Sequence, residues 1–113
     1  MMINYNGKVF KVIQNSANGD VAADMCFHYR QTNNIVTCVY EGAAIKKGQL
    51  MALVNEDGSL DMRYHHVNAN GEIMTGVCYA APKVLPNGKI RLDEKWRWTS
   101  GDGSEGESIL EEV

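Results

Sequence analysis

Short turn signals punctuate the chain at nearly regular intervals, and they constrain its fold more than any other feature. The signals are Asn6-Gly7, Asn18-Gly19-Asp20, Asn33-Asn34, Lys47-Gly48, Asp57-Gly58, Asn70-Gly71, Asn87-Gly88 and Gly101-Asp102-Gly103. Asparagine and glycine favour the primed turns of β-hairpins because these turns need positive φ at their central residues. The intervals of about 10 to 17 residues leave room for one strand and one turn each. The sequence therefore predicts a meander of antiparallel strands.

The segments between the turns alternate between apolar and polar residues, which is typical of half-buried strands. The alternation is clearest in 89–99, where charged side chains occupy every second position. The pattern predicts strands near 8–15, 21–31, 35–42, 49–55, 59–67, 72–80, 89–99 and 107–113. Residues 42–50 are the one candidate helix, but Gly48 interrupts them and the segment is too short for a stable amphipathic stripe. We predict a turn there.

The strand count and the short turns together define an architecture. A chain of 113 residues is too short for two self-sufficient cores, so we place residues 1–113 in a single domain. A flat sheet of about eight strands would leave long unpaired edges, and closure into a barrel removes them. We therefore predict an all-β protein, an antiparallel up-and-down meander closed into a small barrel of about eight strands. Such a barrel is either filled by side chains or wide enough for one small ligand.

Charge and composition disfavour several classes of partner and location. A net charge of −3 is unsuited to nucleic acid or an anionic membrane, both of which attract basic surfaces. No apolar run approaches the roughly 18 residues of a membrane span, and the first residues are too polar for a signal peptide. Cys26, Cys38 and Cys78 favour reduced thiols, with a Cys26–Cys38 bridge across a hairpin as the alternative. We expect a cytoplasmic protein.

The alternation also predicts which side chains face the barrel interior. The inward sets are Ile90, Leu92, Glu94, Trp96 and Trp98 on 89–99, Leu60, Met62, Tyr64 and His66 on 59–67, and Met25, Phe27 and Tyr29 on 21–31. Glu94 is a carboxylate among aromatic and aliphatic groups, so it is either paired or has a raised pKa. An interior of aromatic rings with few polar groups is typical of a small-molecule pocket. The alternative is a filled core in which Glu94 bonds to Tyr64 or His66.

The strands between residues 35 and 80 are apolar on both faces. Val36, Cys38 and Tyr40 alternate with Ile35, Thr37 and Val39, and residues 50–54 are apolar throughout. A barrel wall in contact with water is expected to have one polar face. We therefore predict a homodimer or larger oligomer that forms through the 35–80 face, with cover by the chain's own loops as the alternative.

Few residues are arranged as known catalytic or metal-binding groups. His65 and His66 are neighbours on one strand and point to opposite faces, so they cannot bind one metal together. The sequence contains no nucleophile elbow, phosphate-binding loop, dinucleotide fingerprint or zinc-protease motif. We predict no metal and no cofactor. Glu94 and His66 would form an acid–base pair only if the fold brings them face to face.

Several stretches of the sequence resemble a family of short bacterial proteins. They are RYHHVN (63–68), GEIMTGVC (71–78), LPNGKIRL (85–92), EKWRWT (94–99), GES (106–108) and the two glutamates 111–112. Members of that family are commonly labelled N-acetylglutamate synthase, and the resemblance implies an avidin-like or lipocalin-like barrel. An acetyltransferase of the usual kind needs a glycine-rich loop that opens a helix and holds the pyrophosphate of acetyl-CoA. This sequence has no such loop, so its residues do not support the label.

The residues favour non-enzymatic binding of a small molecule in the barrel mouth. Tyr29, Tyr64, Trp96 and Trp98 would supply stacking surfaces, while Glu94 and His66 would give polar selectivity. An enzyme is the second hypothesis, either one that uses Glu94 with His66 or the acetyltransferase of the family label. The third is an assembly module whose role is its own homo-oligomeric interface.

Overall fold

The strands form one continuous antiparallel sheet. The computed structural model describes residues 3–23 and 25–113. The strands of this part are β1 (Val9–Asn15), β2 (Cys26–His28), β3 (Arg30–Thr32), β4 (Ile35–Gly42), β5 (Ile45–Val54), β6 (Leu60–Asn68), β7 (Ile73–Val84), β8 (Ile90–Trp98) and β9 (Glu105–Glu112). Their order in the sheet is β2-β1-β9-β8-β7-β6-β5-β4-β3. Within these described residues there is no helix that could cross a membrane.

One interrupted strand closes the sheet into a barrel. β2 pairs with β1 and β3 pairs with β4, so the two edges of the sheet meet along residues 26–32. Tyr29 lies between the two short strands, where its N–H donates to the carbonyl of Lys8 at 2.9 Å and its carbonyl accepts from Gly7 at 3.0 Å. β2 and β3 therefore occupy the place of a single barrel strand. The predicted all-β, antiparallel, up-and-down barrel is confirmed.

Most strand boundaries follow the alternation of the sequence. The predicted strand 35–42 coincides with β4, and β1, β6, β8 and β9 begin and end within one or two residues of their predicted bounds. The closing strand, β9, pairs with both β1 and β8 and thereby joins the start of the chain to its end. Three predicted segments differ from the structure, each for a local reason.

The predicted strand 21–31 is wrong in its first half. The structure places residues 16–23 in a loop, and β2 begins at Cys26. Val21 and Met25 have the apolar spacing of a strand, but they are partly buried and pack against the core from the end of the barrel. These two apolar side chains cover the end of the barrel and are not part of a strand in its wall. We call residues 16–23 the mouth loop.

The predicted turn at 42–50 is wrong over its second half, which belongs to β5. Gly42 and Ala43 both have positive φ, 132° and 50°, so the chain reverses over a short turn. The pairing of β5 with β4 and with β6 shifts register near the start of β5. Lys46 and Lys47, which precede Gly48, both face solvent. A bulge of this kind breaks the alternation of a strand. It explains the turn-like pattern of Lys47-Gly48.

The strand predicted at 72–80 continues to Val84 as β7, past Pro82. Proline has no N–H and is therefore unfavourable where both neighbouring strands need a donor. The ladder of β7 with β6 ends at Ala80, whereas the ladder with β8 continues to Val84. Pro82 thus lies where only one neighbouring strand is paired, and the strand tolerates it.

Packing divides the barrel interior into a filled end and an open end. Tyr5, Phe10 and Tyr29 are fully buried and their rings are in contact, with centroids 4.9 to 6.1 Å apart. The hydroxyl of Tyr5 donates to the carbonyl of Gly58 at 2.6 Å, which ties the start of the chain to the turn between β5 and β6. The filled-core alternative therefore describes one end of the barrel. The other end, under the mouth loop, contains a cavity.

Candidate functional site

A cavity of about 70 Å³ lies at the open end of the barrel. One water molecule needs roughly 10–15 Å³ by this kind of measure, and a cavity of roughly 150 Å³ is known to hold benzene. The space therefore admits a chemical group of a few non-hydrogen atoms. All six predicted site residues, Tyr29, Tyr64, His66, Glu94, Trp96 and Trp98, line this cavity.

Aromatic rings form most of the cavity wall and brace one another. Trp98 contacts Tyr64, His66 and Trp96 edge to face, with ring centroids 5.6, 5.6 and 5.7 Å apart. Edge-to-face pairs of this kind stabilise a particular ring orientation in addition to burying apolar surface. The alternation of residues 89–99 predicts Trp96 and Trp98 on one face, and β8 places both of them inside. Phe27 and Tyr40 complete the aromatic lining.

Three glycines on neighbouring strands make room for the wall rings. Tyr40 pairs with Gly48, Tyr64 with Gly76, and Trp96 with Gly106 across the sheet. A Cβ atom added at any of these glycines would overlap the paired ring. An aromatic ring that lies over a cross-strand glycine is held flat against the sheet. The signal in the sequence is a glycine within an alternating strand, which marks a close approach rather than a turn.

A chain of hydrogen bonds fixes Trp96 to the mouth loop. The indole N–H of Trp96 donates to the hydroxyl of Ser108 at 2.8 Å, and that hydroxyl donates to the side-chain oxygen of Asn15. The amide nitrogen of Asn15 donates to the carbonyl of Val21 at 2.6 Å. Ser108 and Asn15 lie on β9 and β1, so three elements hold the ring in place.

His66 is bonded on both of its ring nitrogens. Nε2 lies 2.9 Å from a carboxylate oxygen of Asp20 in the mouth loop, and Nδ1 lies 3.2 Å from the hydroxyl of Tyr40. A ring that donates from Nε2 to Asp20 and accepts at Nδ1 from Tyr40 satisfies both contacts. The carbonyl of Asn18 in the same loop accepts from the indole N–H of Trp98 at 3.1 Å. The mouth loop is thus attached to the wall at several points.

Asp20 is a site residue that the sequence pattern does not reveal. Asn18-Gly19-Asp20 has the composition of a turn, and nothing in the local sequence shows that its carboxylate reaches β6. Its partner, His66, lies 46 positions later in the chain. The contact depends on the closure of the barrel, which brings the end of β1 over β6.

Tyr29, Tyr64 and Glu94 are polar side chains of the cavity that the described chain leaves without hydrogen bonds. Within residues 3–23 and 25–113, the hydroxyl of Tyr29 is the buried one of these groups without a partner, whereas Glu94 and Tyr64 are half-buried. Burial raises the pKa of Glu94 to about 8, so the neutral form of the carboxyl group predominates at pH 7. Burial, and after it the nearby Glu94, raises the pKa of Tyr29 well above its ordinary value. The predicted alternative in which Glu94 bonds to Tyr64 or His66 is therefore wrong.

The residues capable of binding metal are dispersed. Among the residues that the structure describes, no three His, Cys, Asp or Glu side chains converge as a metal-binding group. His65 faces outward, where its Nε2 lies 2.8 Å from the amide nitrogen of Gln49, while His66 faces the cavity.

An antiparallel barrel that is filled at one end and open at the other onto an aromatic cavity has the form of a small-ligand-binding β-barrel. The family model for avidin-like proteins matches residues 3–113, and the chain belongs to this family. No curated protein matches the chain. The avidin-like fold implied by the sequence resemblance is confirmed, whereas nothing found supports the label N-acetylglutamate synthase.

Proposed function

We propose that the protein is a non-enzymatic binding protein that holds a small molecule in the cavity at the open end of its barrel. The observation that carries the proposal is an aromatic wall around the buried hydroxyl of Tyr29, which is unsatisfied, and the half-buried carboxyl of Glu94, which has no hydrogen-bond partner within the described chain. Buried polar groups are normally satisfied, so an unsatisfied hydroxyl on the wall of a cavity supports a bound molecule as its missing partner. The avidin-like family binds small ligands, biotin among them, which supports this role.

The same geometry weighs against an acid–base enzyme. Glu94 and His66 both face the cavity, but no hydrogen bond joins them. The two ring nitrogens of His66 bond to Asp20 and Tyr40 and not to Glu94, so the predicted Glu94–His66 acid–base pair is not assembled. We assign Tyr29, Tyr64, Trp96 and Trp98 to stacking against the ligand, Glu94 to a direct polar contact, and His66 to holding the mouth loop.

Tryptophan fluorescence tests the proposed function directly because both tryptophans of the chain, Trp96 and Trp98, line the cavity. We expect ligands found in a fragment screen to shift or quench the emission in a saturable way. The change is expected to shrink in Trp98→Phe, since that indole contacts three neighbouring rings. A saturable signal that Trp98→Phe leaves unchanged would place the ligand elsewhere and contradict the assignment.

We also propose that the chain forms homo-oligomers through the outer face of β4 to β7. This face carries the exposed apolar side chains Ile35, Val39, Met51, Leu53, Ile73 and Tyr79. Ile35 pairs with Leu53 and Thr37 with Met51 across β4 and β5, so several of these side chains form one continuous patch. Exposed patches of this kind are typical of interfaces, and members of the avidin-like family often form oligomers.

Substitution on this face is expected to separate the subunits. In Met51→Glu a carboxylate would be buried in an apolar contact, at a cost of about 2 kcal/mol or more, so association is expected to weaken at least tenfold. Light scattering coupled to size-exclusion chromatography measures the change. Ile13→Glu is the matched control, because Ile13 is an exposed apolar residue on β1, away from this face. A monomeric wild-type protein at micromolar concentration would contradict the proposal.

The thiols support the proposed cytoplasmic location. Cys38 and Cys78 are free and buried in the barrel wall. Burial raises the pKa of Cys38 to about 11, which keeps it a protonated, unreactive thiol at neutral pH. Unpaired thiols are usual in a reducing compartment.

A further inference from the structure

We propose that the cavity selects a small organic cation, such as a protonated amine or a quaternary ammonium group. The inference rests on the proposed function and names the class of its ligand. It follows from the chemistry of the cavity wall, the charge of the mouth and the size of the space.

The wall disfavours an anionic ligand. No lysine or arginine lines the cavity within the described chain, and the one basic side chain there, His66, is already bonded to Asp20 and Tyr40. A carboxylate or phosphate would enter without a counter-charge and would lie beside Glu94. Burial of an unpaired charge is strongly unfavourable.

The same wall is suited to a cation. Tyr29, Tyr64, Trp96 and Trp98 present ring surfaces, and Glu94 supplies a carboxyl group that becomes a counter-ion once it loses its proton. Ammonium groups bind in aromatic cages because the faces of the rings carry partial negative charge. An acid that is neutral in the empty cavity and ionised in the complex accommodates a positive ligand without leaving a buried charge unpaired.

The entrance adds a second, independent indication. The up-and-down topology places residues 16–23, 43–44, 69–72 and 99–104 at the open end. These connections contain Asp20, Glu72 and Asp102, and no lysine or arginine. Exposed Lys46 and Lys47 follow residues 43–44 on β5, so the acidic part of the mouth is formed by residues 16–23, 69–72 and 99–104. An acidic entrance concentrates cationic ligands. The connections at the filled end are mixed in charge, since they include both Lys89 and Glu56.

The volume limits the size of the group that enters. A cavity of about 70 Å³ is roughly half the size of one that holds benzene. A trimethylammonium head or the end of a short alkylammonium chain is of this scale, and the remainder of a larger ligand would extend through the mouth. We therefore expect the cationic head, rather than a whole drug-sized molecule, to occupy the cavity.

Choline and its neutral carbon isostere, in which a tert-butyl group replaces trimethylammonium, form a matched pair of probes. They have the same shape and differ in charge. Isothermal titration of the full chain is expected to show choline binding at least tenfold more tightly than the isostere. Glu94→Gln is expected to reduce this preference severalfold, because the neutral amide has no charge to offer and only the aromatic rings still favour the cation. Glu56→Gln, an exposed carboxylate at the filled end, is the matched control and is expected to keep it.

The outcomes separate the ligand class from the general function. Equal binding of the isostere and choline would contradict the cation while leaving small-molecule binding in place. A preference for choline that is unchanged in Glu94→Gln would contradict the role of Glu94 as its counter-ion. Failure of both probes to bind at millimolar concentration would also contradict the cation. The fragment screen described above would then test the proposed function separately. If Glu94→Gln loses all binding, a cooperative unfolding transition of the variant is needed to show that it is still folded and that the loss comes from the site.

Discussion

Glu94→Gln is expected to stabilise the protein at pH 8 by about 3 kcal/mol while having little effect at acidic pH. Burial raises the pKa of Glu94 from 4.5 to about 8 in the folded protein. A glutamate in the unfolded chain loses its proton near its ordinary value, so the folded state holds more protons between these two limits. The stability of the wild-type protein therefore falls as the pH rises from about 4.5 to about 8.

Glutamine cannot ionise, so the free energy of unfolding of Glu94→Gln does not decrease with pH in this way. The full shift corresponds to nearly 5 kcal/mol at about 1.4 kcal/mol for each pH unit, and the partial exposure of Glu94 reduces the effect that we expect. Of the other titratable groups that line the cavity, Tyr29, Tyr40, Tyr64 and Cys78 have raised pKa values and stay neutral over this range. His66 and its partner Asp20 are present in both proteins, so their contribution largely cancels in the comparison.

Urea denaturation at pH 5 and pH 8, at one fixed protein concentration, measures the difference. The gap between Glu94→Gln and wild type is expected to open as the pH rises, whereas Glu56→Gln is expected to follow wild type at both values. Equal stability of Glu94→Gln and wild type at pH 8 would show that Glu94 is ionised at no cost. The assignment of a neutral acid in the cavity would then be wrong.

Gly106→Ala is expected to destabilise the barrel by about 2 kcal/mol. Gly106 lies opposite Trp96, and a Cβ atom there would overlap the indole. The ring is held by its bond to Ser108 and by contact with Trp98, so it cannot move without breaking the wall. In an ordinary strand the same change is favourable, because glycine loses more conformational entropy on folding than alanine.

A double-mutant cycle separates the overlap from any general effect of alanine. In a Trp96→Leu background the smaller side chain leaves room, so Gly106→Ala is expected to cost less than about 0.5 kcal/mol. Chemical denaturation of the four proteins provides the comparison. A Gly106→Ala effect of the same size in both backgrounds would mean that the glycine serves the backbone and does not position the ring.

The sequence predicts the barrel and most of its inner face because both depend on local alternation. Glu94, Trp96 and Trp98 follow from the two-residue period of β8, and Tyr64 and His66 follow from that of β6. The period is a property of each strand by itself, so it does not require knowledge of which strands are neighbours.

Features that depend on contacts between distant parts of the chain are not visible in that period. The bond between Asp20 and His66 requires the closed barrel. The absence of a bond between Glu94 and His66 depends on relative positions that alternation does not specify. Val21 and Met25 have the apolar spacing of a strand although they cover the end of the barrel. Spacing alone does not distinguish a residue that covers the barrel from one that lines its wall. The glycines opposite aromatic residues become informative only when the register is known.

The central claim is that the open end of this barrel is a ligand site rather than an incompletely packed core. A high-resolution crystal structure of the protein soaked with a fragment library tests it most directly. We predict fragment density in the cavity between Trp98 and Glu94, beneath the mouth loop and in contact with the hydroxyl of Tyr29. An interior packed solid, with no space beyond a single water molecule and no fragment bound inside the barrel, would contradict it.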